Sequence, residues 1–600
     1  MSRNRPEPND LIRQARRILE QHPGVRITGE LLWHEKDREW ALPIDLTVNT
    51  SNQELVPRTS SWFIVLSPRF PWGGIEIYPA KKGGIDKTFP HQDHNGLGDE
   101  RIPWRSGDLC VRAPAFALGR SGSDPDPKGD LNRLTWYVGR AIEWLESASA
   151  GKLMRDGDDF ELPQCKPGPS TVGYSEDENT FQAWANTDAL MGTLELVPLG
   201  EAGPFAARRF LNEAGDVVLE PSWGKAIRDA TKPQVGAWIR LPAIPFVPPY
   251  GAPMTWGELA AAMDRMGLQT GEILRRVLRP LRDGTKRILL VGFPIPRKVG
   301  QPPSLFHWQP MLLPDLSHGT KPVKGFPANE RGYWLGDQAT AFSPKRSINW
   351  LTGRNWEPAE LGTRGQLSPL LRKRNALFIG GGSLGSAVAD VLVRGGLTNG
   401  VVIDDDSLIA GNLVRHTLTL ADVGRGKAEQ LARHLNSLSP HAAVESITAH
   451  FPSLAQSEHE KCGGCDLVID CSGSDDVLHA LAEEERAHET TFVSISMGRG
   501  PKRLYVFSAR GRSFPVADFR YAISKWLTQD EHDFSDAHFP WEGVGCWHPV
   551  FPARSDQVWA FAAAAARHLV AISDGRAELG LCVLELPDDA VFPLKAAANV

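Results

Sequence analysis

One stretch, NALFIGGGSLGSAVADVLV, beginning at Asn375, constrains the fold of this chain most. An apolar run of strand length meets three consecutive glycines, and helix-forming residues follow at once. Gly380, Gly382 and Gly385 fit G-x-G-x-x-G. In that spacing glycine permits a tight turn and close backbone approach, and the helix N-terminus attracts phosphate. Asp404 ends the next apolar run, where an acid can hydrogen-bond ribose hydroxyls. A strand, turn, helix and acid in this order predict nucleotide binding.

The surrounding pattern agrees. From about Ile348 onward, ALFIGGG, GVVIDDD, CDLVIDCSG, TFVSISMG and RLYVFSARG are apolar runs of strand length. Helical segments such as GKAEQLARHLNSL and SDDVLHALAEEERAHE lie between several of them, which predicts an α/β Rossmann-like domain over 348–600. The last two runs have no helix between them and suit a hairpin.

A glycine turn and an acid would serve a dinucleotide dehydrogenase equally well. The residues downstream narrow the choice. Asn412, Arg415 and Lys427 follow the ribose acid, and Asp470 ends a later strand. Two cations, an amide and a strand-end carboxylate suit a triphosphate with magnesium. Together GGGSLG, Asp404, NLVR, GRGK and DCSGSDD resemble the adenylating domain of ubiquitin-activating-type enzymes, the ThiF/MoeB family. That resemblance implies that Asp404 holds ribose, Arg415 and Lys427 hold phosphates, Asn412 supports them and Asp470 holds Mg2+. The implied reaction uses ATP to form an acyl-adenylate at a protein's C-terminal carboxylate, releasing pyrophosphate.

An acyl-adenylate usually passes to a thiol, and the chain has seven cysteines. Cys471 sits in an expected buried strand and reads as packing. Cys462 and Cys465 form CGGC without a second pair, so four-thiolate zinc is not expected. Cys165 and Cys582 sit in contexts that suggest no chemistry. Cys546, in WEGVGCWHPVFPARSDQ, is expected in a loop just before a helix beginning near Ser555, with His548 close by in sequence. It could be a buried loop cysteine beside Trp547. The resemblance favours the other reading, because thioester-forming activating enzymes carry their cysteine in the corresponding crossover loop.

The front of the chain reads as a compact α+β unit over 1–164. DLIRQARRILEQHPG has apolar residues at helical spacing, four strand-like runs follow (VRITGELLW, WALPIDLTV, SWFIVLS and GIEIY), and NRLTWYVGRAIEWLESA is a second helix. FPWGGIEIYP, FPHQDHNG and GDLC, in that order, resemble a ubiquitin-conjugating-type enzyme, whose thioester cysteine Cys110 matches. The family's His-Pro-Asn element is not intact. His91 or Asn95 could support the oxyanion, and the residues alone leave that open. Residues 165–347 read as a linker domain of mixed α/β structure, with a helix at TWGELAAAMDRMG, a strand at KRILLVGFPI and no assigned chemistry.

A chain of 600 residues exceeds one core and predicts two to four domains. A net charge of −6 gives no sign of direct nucleic-acid binding, and no apolar run is long enough to span a membrane. A polar N-terminus without a signal-peptide core and an odd, scattered set of cysteines predict a cytoplasmic protein. The order of conjugating-type, linker and activating-type domains resembles the fused ubiquitin-transferase-like enzymes of bacterial type II CBASS anti-phage operons. That resemblance implies a homodimer that adenylates the C-terminus of a partner nucleotidyltransferase (a CD-NTase). The acyl group would then pass from Cys546 to Cys110 and on to a target amine. A dedicated ubiquitin-like modifier pathway would share both end domains, and sulfur-carrier activation for cofactor biosynthesis would share the adenylating set.

Overall fold

The computed structural model describes residues 6–111, 126–165, 167–201, 203–319, 321–535, 541–542, 548–586 and 595–599. They fall into two compact units: 1–220 with 234–354, and 221–233 with 355–600.

In the first unit, helix α1 (Asp10–Leu19) begins at Asn9, whose side chain accepts the Ile12 N–H. Of its apolar residues, Ile12, Ala15 and Leu19 turn inward, while Leu11 stays exposed. Five strands follow: β1 (Val25–Ile27), β2 (Leu32–His34), β3 (Glu39–Thr47), β4 (Thr59–Leu66) and β5 (Ile75–Pro79). The run VRITGELLW, expected as one strand, is two. Both pair with β3, β1 against Ile44–Leu46 and β2 against Glu39–Ala41, so the chain must break at 28–31 to reach both stretches. The antiparallel order β1-β3-β4-β5 presents Leu42, Ile44, Ile64 and Ile77 to α1 and to α2 (Arg133–Ser149). Leu134, Val138, Ala141 and Leu145 of α2 are fully buried there, so Leu145→Ala should cost about 2–5 kcal/mol.

Residues 171–355 of this region build a nine-stranded mixed sheet, far richer in strands than the single strand expected. Its core is aromatic. Trp184, Trp238, Trp308 and Phe210 pack at centroid distances of 4.8 to 6.1 Å. Buried among them, the Glu176 carboxylate accepts from the indole N–H groups of Trp184 at 2.8 Å and Trp308 at 2.7 Å. Burial pushes its pKa up to about 7, against the hydrogen bonds that favour the anion.

The second unit holds an eight-stranded sheet. Parallel strands Ala443–Ile447, Asn399–Ile403, Asn375–Ile379, Leu467–Asp470 and Thr490–Met497 lie side by side in that order. Arg503–Gly511 then returns antiparallel with Met497 opposite Leu504, the hairpin expected from the sequence. Helices Ser383–Arg394, Lys427–Leu438 and Ser555–Ser573 contribute to one core cluster of this unit, and Asp475–Glu483 and Val516–Asp533 to the other. The strand at Asn375 is central: the next two strands in sequence lie on one side of it and the following two on the other. A crevice therefore opens beyond its C-terminal end, the usual ligand position in such sheets. Among the described residues no helix is long and apolar enough to cross a membrane.

Candidate active sites

The crevice is lined by the glycine turn. Gly380 has φ +87°, and a Cβ there would lie 2.8 Å from the Ser472 nitrogen. At Gly385 a Cβ would come within 2.0 Å of the Gly380 carbonyl oxygen, so the helix can close on the turn only with glycine. Gly382 differs. It caps helix Ser383–Arg394 with no side-chain cap bond, and a Cβ there would meet nothing within 4 Å. The helix N-terminus therefore faces open space, and such a terminus favours an anionic group.

Asp404 is joined to this turn. Its carboxylate accepts the Gly381 N–H at 2.7 Å and the Asp406 N–H at 2.9 Å. Burial raises its pKa, opposed by those two bonds and by Lys427. Lys427 opens its helix and is buried, with its ammonium 2.7 Å from Asp406. The turn, Asp404 and Lys427 are thus brought together through the 404–406 segment. Arg415 donates to the Phe551 carbonyl, just before helix Ser555–Ser573. Asn412 accepts the Ile409 N–H at 3.3 Å within a short 3-10 turn.

A residue not anticipated from the sequence completes the turn. His416 donates from Nε2 to the Gly381 carbonyl at 2.7 Å, and its Nδ1 accepts the Leu418 N–H at 3.1 Å. Both bonds suit the neutral ring, and burial lowers its pKa in the same direction. Adjacency to NLVR was the only available signal, and it carries no chemistry by itself.

Asp470 ends the strand beside the glycine-turn strand, with Ile379 opposite it. It is 2% exposed. One oxygen accepts Ser472 Oγ–H at 2.6 Å and Ser472 N–H at 3.0 Å, and the other accepts Ser494 Oγ–H at 3.0 Å. Burial raises its pKa. This arrangement does not fit the magnesium role expected for Asp470, because a hydrated ion needs an open carboxylate oxygen. Asp470 instead ties the loop at Ser472 to the neighbouring strand, and that loop backs Gly380.

The second site lies in the first unit. Cys110 is exposed and outside any disulfide, and its N–H donates to the His91 carbonyl at 3.0 Å. His91 adopts φ +56°, unusual for a residue with a Cβ, and its ring borders the same cleft of about 610 Å³ as Cys110 and α2. Asn95 is 3% exposed. Its amide donates to the carbonyls of Ile85 and Lys87, both at 2.9 Å, and its oxygen accepts from Arg105 at 3.0 Å. Asn95 is therefore used up in holding its own loop, and His91 is the residue left facing the cleft.

Cys546 lies outside the described residues. The helix expected near Ser555 spans Ser555–Ser573. Cys462 and Cys465 are buried, and burial pushes their thiols up to about 11 and about 12, so neither is primed as a nucleophile. Cys471, partly buried, is likewise raised by desolvation and by the neighbouring Asp470.

Comparison with known proteins bears on both units. The ThiF family model matches residues 353–498. The model described as the Cap2 central linker domain matches residues 151–356. The ATP-dependent ubiquitin transferase-like protein Cap2 of Enterobacter hormaechei subsp. hoffmannii (strain UCI 50) is 32% identical over 587 residues, 97% of each chain. The chain belongs to the Cap2 family. It is accordingly an ATP-dependent, ubiquitin transferase-like enzyme with a ThiF domain. Beyond Cap2, the adenylyltransferase and sulfurtransferase UBA4 of Yarrowia lipolytica is 30% identical over 26% of this chain and 39% of its own. A crystal structure of E. coli MccB with AMPCPP and MccA covers 38% of this chain and 64% of that one, at 14% identity and a TM-score of 0.28.

Proposed function

We propose that this enzyme adenylates the C-terminal carboxylate of a partner protein, relays the acyl group through Cys546 and Cys110, and attaches it to an amine of a target. The observation that carries this reading is an exposed cysteine at a cleft on the same chain as a glycine-turn nucleotide crevice. In the first step a carboxylate oxygen forms a bond to the α-phosphorus of ATP and pyrophosphate leaves. The helix N-terminus at Gly382 receives phosphate, Asp404 accepts from ribose, and Lys427 and Arg415 supply positive charge, with Asn412 supporting their turn.

The Cys546 thiolate then attacks the acyl-adenylate and AMP leaves. Thiol–thioester exchange moves the acyl group to Cys110 without further ATP, because the bond formed and the bond broken are of one kind. For this transfer residues 1–164 act as the conjugating-type domain and 348–600 as the activating domain, with the linker domain between them. Of the two candidates, His91 is the one available to the thioester oxyanion, since Asn95 is committed to its loop. The partner we favour is a CD-NTase, with a ubiquitin-like modifier as the other carboxylate of the same chemistry. The working form is a homodimer in the reducing cytoplasm, a setting supported by the scattered cysteines.

ATP–pyrophosphate exchange tests the first step. Exchange should require a partner with an intact C-terminus, and equal exchange with a partner lacking its last residues would contradict the reading.

A further inference from the structure

Glu161 lies within the stretch matched by the linker-domain model, yet its carboxylate reaches His91, which lines the Cys110 cleft. Its Oε2 sits 2.6 Å from His91 Nδ1 and also accepts the His91 backbone N–H at 3.2 Å. Its position is fixed from the linker side. Phe160 donates to the Arg297 carbonyl at 3.2 Å, Val299 to Asp158 at 2.9 Å, and the Tyr250 hydroxyl to the Glu161 carbonyl. Tyr250 also donates its N–H to the Thr88 carbonyl at 3.1 Å, which secures the segment leading into His91. One carboxylate thus holds both the ring and the backbone of the residue whose carbonyl anchors Cys110.

We propose that Glu161, where the conjugating-type unit meets the linker, is a positioning residue for acyl transfer from Cys110, holding His91 as an imidazolium against the thioester. The proposal rests on the Cys110 relay put forward above. In that step the amine lone pair forms the C–N bond and the C–S pair returns to sulfur. The proton lost from nitrogen restores the Cys110 thiol. Charge develops on the carbonyl oxygen in between, and a fixed cation in the wall of the cleft lowers that barrier. Glu161 is the largest influence keeping His91 protonated above its ordinary range, with Asp158 and a backbone hydrogen bond to Leu153 acting in the same direction. Among the described residues, the other charged groups lining the cleft are Lys152 and Arg155, with Arg140, Glu143 and Glu146 of α2.

The test uses the full chain loaded at Cys110 with ATP and its partner, then chased with hydroxylamine, which is already unprotonated from neutral pH upward. The rate per loaded thioester is read against pH. In the unaltered chain it should fall as pH rises through the raised His91 pKa. In Glu161→Gln that fall should move to lower pH, leaving the variant roughly tenfold slower or more at neutral pH, the scale of a lost charge-assisted hydrogen bond. Asp159→Asn, an exposed neighbour paired only loosely with Lys298 at 3.6 Å, should keep the unaltered profile. An unchanged Glu161→Gln profile would overturn the proposal, as would a drop of equal size at every pH, which marks a structural role alone. If the unaltered chain forms no Cys110 adduct, the relay reading itself fails and this proposal falls with it.

Discussion

The backbone N–H of Gly381 donates to the Asp404 carboxylate across 2.7 Å, so the glycine turn and the strand-end acid are one hydrogen-bonded unit. Nucleotide recognition should therefore fail as a unit when either half is disturbed.

The turn's glycines are unequal, and substitution should show it. Gly385→Ala drives a methyl group to within 2.0 Å of the Gly380 carbonyl and should cost about 1–3 kcal/mol with loss of pyrophosphate exchange. Gly382→Ala meets open space and should leave the melting temperature nearly unchanged while weakening ATP use. Thermal unfolding and exchange kinetics on both variants check this, and equal destabilisation would contradict the geometry.

Asp470→Asn replaces one of the two oxygens that accept the Ser472 and Ser494 hydroxyls with an amide donor. Exchange should fall, and raising the magnesium concentration should not restore it. Recovery at high magnesium would show that Asp470 is a metal ligand after all.

At the cysteine cleft, Asn95→Ala should act on stability and His91→Ala on transfer. Losing the buried amide leaves the Ile85 and Lys87 carbonyls unpaired, at a cost of about 1–3 kcal/mol in unfolding free energy. His91→Ala should slow discharge of a preformed Cys110 thioester more than Asn95→Ala does. Single-turnover discharge with the reverse ranking would return the oxyanion role to Asn95.

Glu176 sets a pH dependence of stability. Its folded pKa of about 7 exceeds the ordinary carboxylate value of 4.5, so between these values the folded state holds a proton that the unfolded chain has released. This contribution to stability is full below about 4.5 and is lost as pH rises toward 7. Glu176→Gln should flatten that slope in pH-dependent denaturant unfolding.

Some of this was legible in the residues and some was not. The glycine turn, Asp404 and the hairpin after Thr490 announce themselves because the turn and the acid follow from local chain geometry and the paired runs are adjacent. The linker sheet did not, because its strands are interrupted by proline and its core joins Trp184, Trp238 and Trp308 from distant segments. Closure of Asp470 by Ser494 depends on which strands become neighbours, which only the sheet order reveals. Glu161 and His91 are 70 residues apart, and no spacing rule connects them.

The order of the two thiols is the central claim, and a non-reducing gel with mass spectrometry of the loaded cysteine tests it most directly. With ATP, magnesium and the partner present, Cys110→Ala should leave a reducible adduct on Cys546. Cys546→Ala should abolish adducts at both positions. Persistent loading of Cys110 in Cys546→Ala would contradict the relay.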